Sequence, residues 1–203
     1  MIQTIIGLSG RANSGKDTAF EAIRSHYAES ALLAKRVAFA DPLKMSAAWA
    51  LGYQPETAEE AVAICNALKD MRITIAGNRD YDSWVSGREY LQFYGTEAHR
   101  GVFGEGFWVN ATLPEHFADL DDKYPDVDVL VVTDVRFPNE AERILELNGE
   151  VWGINADERL GELPDTAHSS ERPLDPALLA CTIPNNHSLS EFSEALKKAL
   201  VTV

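Results

Sequence analysis

Gly10-Arg11-Ala12-Asn13-Ser14-Gly15-Lys16-Asp17-Thr18 sits between an apolar run, residues 2–8, and a stretch in which Phe20, Ile23 and Tyr27 recur at helical spacing. A glycine-bearing turn that leaves a strand and opens a helix is the setting a phosphate-binding loop requires. Glycines let backbone N–H groups converge on an anion, the helix presents its positive end, and Lys16 reaches the outer phosphates of a nucleotide. The candidate phosphate-binding residues are therefore Gly10, Arg11, Asn13, Ser14, Gly15, Lys16, Asp17 and Thr18. The strict pattern places Ser or Thr directly after the lysine as a magnesium ligand, and here Asp17 holds that place with Thr18 behind it. Asp17 can serve the ion through water, or simply favour the first turn of its helix as a negative charge. A glycine turn that binds nothing is the plainer alternative for the whole loop.

Outward from this loop, β-rich apolar runs alternate with segments of helical period, which argues for parallel βαβ units in a three-layer α/β/α fold. The expected strands are residues 2–8, 36–40, 127–133, 151–155 and 181–184, forming one five-stranded parallel sheet. The third of these, VDVLVVT, is the most apolar and is expected at the centre. A helix behind a Thr57/Glu60 capping box carries Ala61, Ile64, Leu68 and Met71 on one face. Another begins near Pro138 and stops at Asn148-Gly149. The last starts at Ser188 with Glu191 as its box partner and lays Leu189, Phe192, Leu196 and Leu200 along a stripe, closing the edge of the sheet. Residues 53–120, helical in pattern with no clear strand, are expected as an insertion, and residues 156–178, rich in Asp, Glu, Pro and Ser, as a lid. All of this fits one domain spanning residues 1–203.

Composition narrows the function. With 18 Lys and Arg against 32 Asp and Glu the net charge is −14, which disfavours a polynucleotide partner and a polybasic membrane anchor. No apolar run approaches the roughly 20 residues that span a bilayer. Cys65 and Cys181 show no metal-binding or disulfide spacing, as expected for a chain of the reducing cytoplasm.

Four further segments carry chemistry. Asp41-Pro42-Leu43-Lys44 follows the second strand; Asp before Pro starts helices, and the same place lies at the strand ends where ligands of open α/β sheets bind. Asp134 ends the third strand as an acidic residue suited to magnesium, and Arg136 suits an acceptor phosphate or the charge developing in transfer. Asp134 satisfying a turn and Arg136 pairing with Glu140 is the alternative there. Arg88 and Arg100, in a stretch rich in aromatics, suit a second phosphate, with Tyr94 and Trp108 as stacking faces for its base. The lid supplies Arg159, His168, Ser169, Ser170, Glu171 and Arg172, and Asn185-Asn186 follows the last strand, where amides can read a base edge or make a turn.

In order along the chain, GRANSGKDT, FADPLK, LQFYGTEAHR, TDVRFPNEAE, HSSE and IPNNHSLSEF resemble the bacteriophage type of deoxynucleoside monophosphate kinase, over most of the sequence. The resemblance implies a P-loop NTPase fold and transfer of the ATP γ-phosphoryl group to a deoxynucleoside monophosphate in the cytoplasm, the host's if the chain is phage-encoded. It implies Lys16, Asp41 and Arg136 as catalytic residues, and the phosphate loop with Arg172, Asn185 and Asn186 as the ATP site. Asp41, Lys44, Arg88, Tyr94, Arg100, Trp108, Asp134, Arg136 and Glu171 fall to the acceptor, and Asp17 and Asp134 hold Mg2+ through water. The GKD loop is also similar to that of animal-type phosphomevalonate kinase, so a phosphomevalonate-like acceptor stays open. So do a binding module gated by nucleotide and a homodimeric state.

Overall fold

The computed structural model describes residues 1–74, 84–161 and 172–201. Its strands are β1 (Thr4–Ser9), β2 (Ala34–Val37), β3 (Arg72–Thr74), β4 (Trp84–Ser86), β5 (Val129–Val135), β6 (Glu150–Asn155) and β7 (Cys181–Pro184). The α-helices are α1 (Lys16–Glu29), α2 (Ala40–Ala50), α3 (Ala58–Leu68), α4 (Gly87–Gln92), α5 (Gly101–Phe103), α6 (Phe107–Thr112), α7 (Leu120–Lys123), α8 (Pro138–Glu146), α9 (Asp157–Leu160) and α10 (Leu189–Leu200). The chain divides into two compact units, Met1–Ala38 with Leu113–Val203, and Phe39–Thr112.

The first unit is built on a five-stranded parallel sheet in the order β2-β5-β1-β6-β7. Val129, Leu130, Val131 and Val132 of β5 are all fully buried, because helices cover both faces and neither side of the strand can be polar. α1 and α10 share one face, where Ala19, Ile23, Phe192 and Leu196 pack on Ile6, Leu8, Val131 and Trp152. α8 packs against β1 and β6. The middle place belongs to β1 rather than to VDVLVVT, which lies between β2 and β1: two neighbours bury a strand as completely as the central position does. Ser188 and Glu191 form the expected capping box of α10, and Asn148, at φ +56°, ends the turn after α8. The stretch expected as a lid opens with the helical turn α9, and Asp175 caps a short 3₁₀ turn, Pro176–Leu178. His168, Ser169, Ser170 and Glu171 lie outside the described residues.

The second unit begins at Phe39, upstream of the expected 53, because α2 packs on α3 and α6. The second strand accordingly stops at Val37 and helix starts at Ala40, with Asp41 and Pro42 inside the first turn instead of capping it. Thr57 caps α3 by accepting from the Glu60 N–H at 3.2 Å, while the Glu60 carboxylate reaches the Glu56 N–H, one residue before the box position. This unit also contains strands where none was expected: β3 and β4 pair antiparallel, and the Arg72 guanidinium lies 4.2 Å over the Trp84 ring. Three residues per strand are too few for an alternating pattern to be visible in sequence.

Candidate active site

β1 delivers the chain to the phosphate loop at Ser9, and the loop's curl comes from residues in the left-handed region. Asn13 has φ +62° and Gly15 has φ +105°, so successive peptide planes turn their N–H groups toward one side, as in an anion nest. Gly10, at φ +151°, passes so close to β6 that a Cβ would stand 2.6 Å from the Ile154 carbonyl oxygen. Gly15 is the N-cap of α1 and offers no side-chain cap; the Ala19 N–H bonds its carbonyl at 2.9 Å. The N–H groups ahead of Ala19 face out of the helix end, as at every helix N-terminus. Lys16 Nζ donates to the carbonyls of Gly10 (2.7 Å) and Arg11 (2.8 Å), which places the ammonium across the loop. Asp17 and Thr18 are exposed in the first turn of α1. Ser14 is 1% exposed and turned inward, and its hydroxyl has no hydrogen-bond partner among the described residues.

The loop's outer carbonyls are held from two other strand ends. Arg159 of α9 donates to the Asn13 carbonyl at 2.7 Å and to the Asn185 carbonyl at 3.3 Å. Asn185 Nδ2 donates to the Ser14 carbonyl at 2.7 Å, and the Asn185 N–H bonds the Asn155 carbonyl at 2.6 Å. Asn186 joins the same net through the Asn155 side chain (3.5 Å) and by accepting from the Glu158 N–H (3.3 Å). Arg11 reaches outward to the Gly161 carbonyl at 2.6 Å and lies 3.5 Å from the Asp157 carboxylate. A cavity of about 640 Å³ opens beside this net, lined by Gly10, Arg11, Asn155, Asp157, Gly161 and Thr182 among others. That volume is in the range of small-molecule sites. Arg172 is exposed. Sequence reasoning named Arg159 only as a lid arginine and missed Asn155 altogether; no local pattern marks an arginine whose partner is Asn13, 146 positions away, or an asparagine that meets Asn185 and Asn186 only across neighbouring strand ends.

Asp134 and Arg136 belong to the same unit. Between Gly7 and Ser9 the β1–β5 register slips: Gly7 pairs with Val132 but Ser9 with Val135, so β5 spends one extra residue at Thr133-Asp134. Such irregularities re-aim side chains at strand ends. Glu140, 6% exposed, accepts from the backbone N–H groups of Arg136 (2.7 Å) and Phe137 (3.0 Å), which fixes the turn into α8.

The remaining candidates lie in the second unit. Tyr94 Oη is 2.7 Å from Ser46 Oγ, and Trp108 is buried with its indole N–H donated to the Gly95 carbonyl at 3.0 Å. Tyr94 and Gly95 belong to a π-helix, Phe93–Arg100, that also carries His99, whose Nδ1 lies 2.6 Å from the Tyr94 carbonyl. The His99 ring packs against Tyr94, Phe107 and Trp108 at centroid distances of 4.4, 5.3 and 4.9 Å. Arg100 donates to the Glu105 carbonyl at 3.3 Å, Arg88 is exposed in the first turn of α4, and Asp41 and Lys44 lie on α2. Tyr90 donates to the Ala47 carbonyl (3.2 Å); burial, with Tyr94 and Cys65 adding to it, pushes its phenol up to about 12. A second cavity, about 600 Å³, is lined here by Leu51, Ile73, Tyr90, Phe93, Tyr94 and Glu97.

A parallel sheet of this order, with a GKD loop between its middle strand and the following helix, is consistent with the P-loop kinase class. Within that class, residues 56–196 match the sequence profile described as deoxynucleotide monophosphate kinase, and the chain belongs to that family. It is also similar to the deoxynucleoside-5'-monophosphate kinase of Escherichia phage T5, 28% identical over 190 aligned residues covering 72% of this chain and 74% of the relative. The profile match begins beyond the phosphate loop, so the loop's geometry and the family assignment are independent observations. Together they decide for a nucleotide kinase over the phosphomevalonate-like acceptor and the binding module. No helix among the described residues is long and apolar enough to cross a membrane.

Proposed function

We propose that this chain transfers the γ-phosphoryl group of ATP to the 5′-phosphate of a deoxynucleoside monophosphate, releasing ADP and the deoxynucleoside diphosphate. The observation that carries the reading is the phosphate loop, with two left-handed residues, an open helix N-terminus and Lys16 Nζ stationed across it. An oxygen of the acceptor phosphate attacks the γ-phosphorus as the bond to the β–γ bridging oxygen breaks. Catalysis of such a step is mostly positioning and charge compensation, which a nest of amides and an ammonium supply. The attacking phosphate is already ionised near neutral pH, so Asp41 is not needed as a general base and serves the acceptor instead. We assign the acceptor's charge to Arg136, whose backbone N–H is held by Glu140, and to Lys44, Arg88 and Arg100, as cations suited to a phosphate.

Magnesium fits the donor set. Among the described residues no cluster of three His, Cys, Asp or Glu side chains is present, so the protein offers no cage. An ion that arrives on a triphosphate needs only one or two carboxylates and keeps its waters, and Asp17 and Asp134 would supply them. When bound, it would offset charge on the phosphates. The net charge of −14 does not oppose this, because screening over about 8 Å leaves the local amides and cations dominant. Cys65 and Cys181 are free thiols, which supports a reducing cytoplasm.

A coupled ADP assay with a panel of monophosphates tests the proposal. ADP forms only when ATP, magnesium and a deoxynucleoside monophosphate are all present, and Lys16→Ala lowers the rate by about 10²-fold or more. Equal ADP formation without an acceptor, or with phosphomevalonate alone, would refute it.

A further inference from the structure

We infer that Asn185 is a positioning residue that fixes the Ser14–Gly15 peptide so that the Gly15 N–H faces the phosphate. This rests on reading the loop as a triphosphate site. The expectation for Asn185 was a base-edge contact or a turn; its side-chain amide donates to the Ser14 carbonyl at 2.7 Å. In a trans peptide the carbonyl and the following N–H point in opposite directions. Pinning the Ser14 oxygen outward therefore turns the Gly15 N–H inward, and no acceptor for that N–H is found among the described residues. The neighbouring peptide behaves the same way: Arg159 holds the Asn13 oxygen outward, and the Ser14 N–H points into the loop, onto the Arg11 carbonyl at 3.1 Å.

An outside hold is necessary because of what occupies position 15. Glycine tolerates φ of either sign, so this peptide can flip by rotation about ψ of Ser14 and φ of Gly15 at little steric cost. Flipped, it would aim a carbonyl oxygen at the phosphates. Asn185 is suited to prevent this, since its own N–H is bonded to Asn155 and its carbonyl accepts from Arg159. The prop is rigid because both its backbone groups are committed. Its side chain also lies against Gly15, where any Cβ would run into Nδ2.

Calorimetric titration of the full chain with inorganic tripolyphosphate, ATP and GTP, in wild type, Asn185→Ala and Asn185→Asp, tests the inference. Expected is a common loss of about tenfold for whichever of the three ligands wild type binds, tripolyphosphate included, in Asn185→Ala. The loss is larger in Asn185→Asp, which keeps the side-chain shape but turns an oxygen on the Ser14 carbonyl. KM for the deoxynucleoside monophosphate stays unchanged. Loss for ATP with tripolyphosphate binding intact would overturn the inference in favour of base reading. A lowered melting temperature with all affinities intact would overturn it in favour of a purely structural bond. Wild type failing to bind either tripolyphosphate or ATP would instead bring down the phosphate-loop reading, and this inference with it.

Discussion

Gly15→Ala tests the loop's geometry most directly, and its cost can be worked from the structure. A side chain at φ +105° meets the left-handed penalty of about 1–2 kcal/mol. The new Cβ would also run into Asn185 Nδ2, the free end of a side chain, so Asn185 swings away and its 2.7 Å bond to the Ser14 carbonyl is lost, about 1 kcal/mol more. Phe192 Cε1, at 3.4 Å, makes only ordinary contact. The sum, about 2–3 kcal/mol, corresponds to roughly 30- to 150-fold in kcat/KM for ATP at about 1.4 kcal/mol per tenfold. Asn185→Ala alone should cost about 1 kcal/mol, and the double variant no more than Gly15→Ala, because the bond is already gone. Steady-state kinetics of the four proteins, with the acceptor saturating, measure this cycle. Full additivity would show that Asn185 does not move when Gly15 gains a Cβ, and a Gly15→Ala enzyme within threefold of wild type would refute the strain argument altogether.

Three further outcomes follow from the described contacts. The raised pKa of Tyr90 means that the unfolded chain loses this proton near the ordinary value of 10 while the folded chain keeps it to about 12. Its contribution to stability is complete below pH 10 and is lost as pH rises toward 12, so the wild-type advantage over Tyr90→Phe in urea midpoint shrinks across that window; a constant difference would contradict it. Glu191 has its pKa lowered by hydrogen bonds from the Ser188 side chain and backbone, so its contribution is present above the unfolded carboxylate value and disappears as pH falls through the folded one. The stability gap between wild type and Ser188→Ala should accordingly narrow in acid, and urea melts that stay parallel down to pH 3 would count against the capping box. Trp108→Phe leaves the Gly95 carbonyl without its donor at a buried position, and should lower stability by about 1–3 kcal/mol while leaving tripolyphosphate affinity untouched.

What was legible in the sequence follows from where each constraint acts. β5 could be read because burial on both faces forces an unbroken apolar run, and the phosphate loop because its glycines and lysine act on one another within a few residues. The capping box of α10 is equally local. α2 misled because Asp41-Pro42 has the chemistry of a helix start, yet Ala40 precedes it in the helix. The π-helix Phe93–Arg100 has no signature of its own, and Trp108, thirteen residues from Gly95, donates to one of its carbonyls. β3 and β4 are too short to show a period.

The site itself divides along the same line. Glycine spacing specifies that the loop can curl, but what holds its peptides in one orientation comes from Arg159 of α9, just past β6, and from Asn185 just past β7, itself bonded to Asn155 and 171 residues from Ser14. These distant residues meet because β1, β6 and β7 are consecutive parallel neighbours, and parallel strands bring their carboxyl ends to one edge of the sheet. Sheet order is thus part of what supports the loop. With β6 beside β1 and β7 beside β6, an arginine that follows β6 and an asparagine that follows β7 grip adjacent carbonyls of one short loop. The sequence motif describes the surface proposed to meet the phosphate, and the topology supplies the scaffold that holds that surface in one orientation.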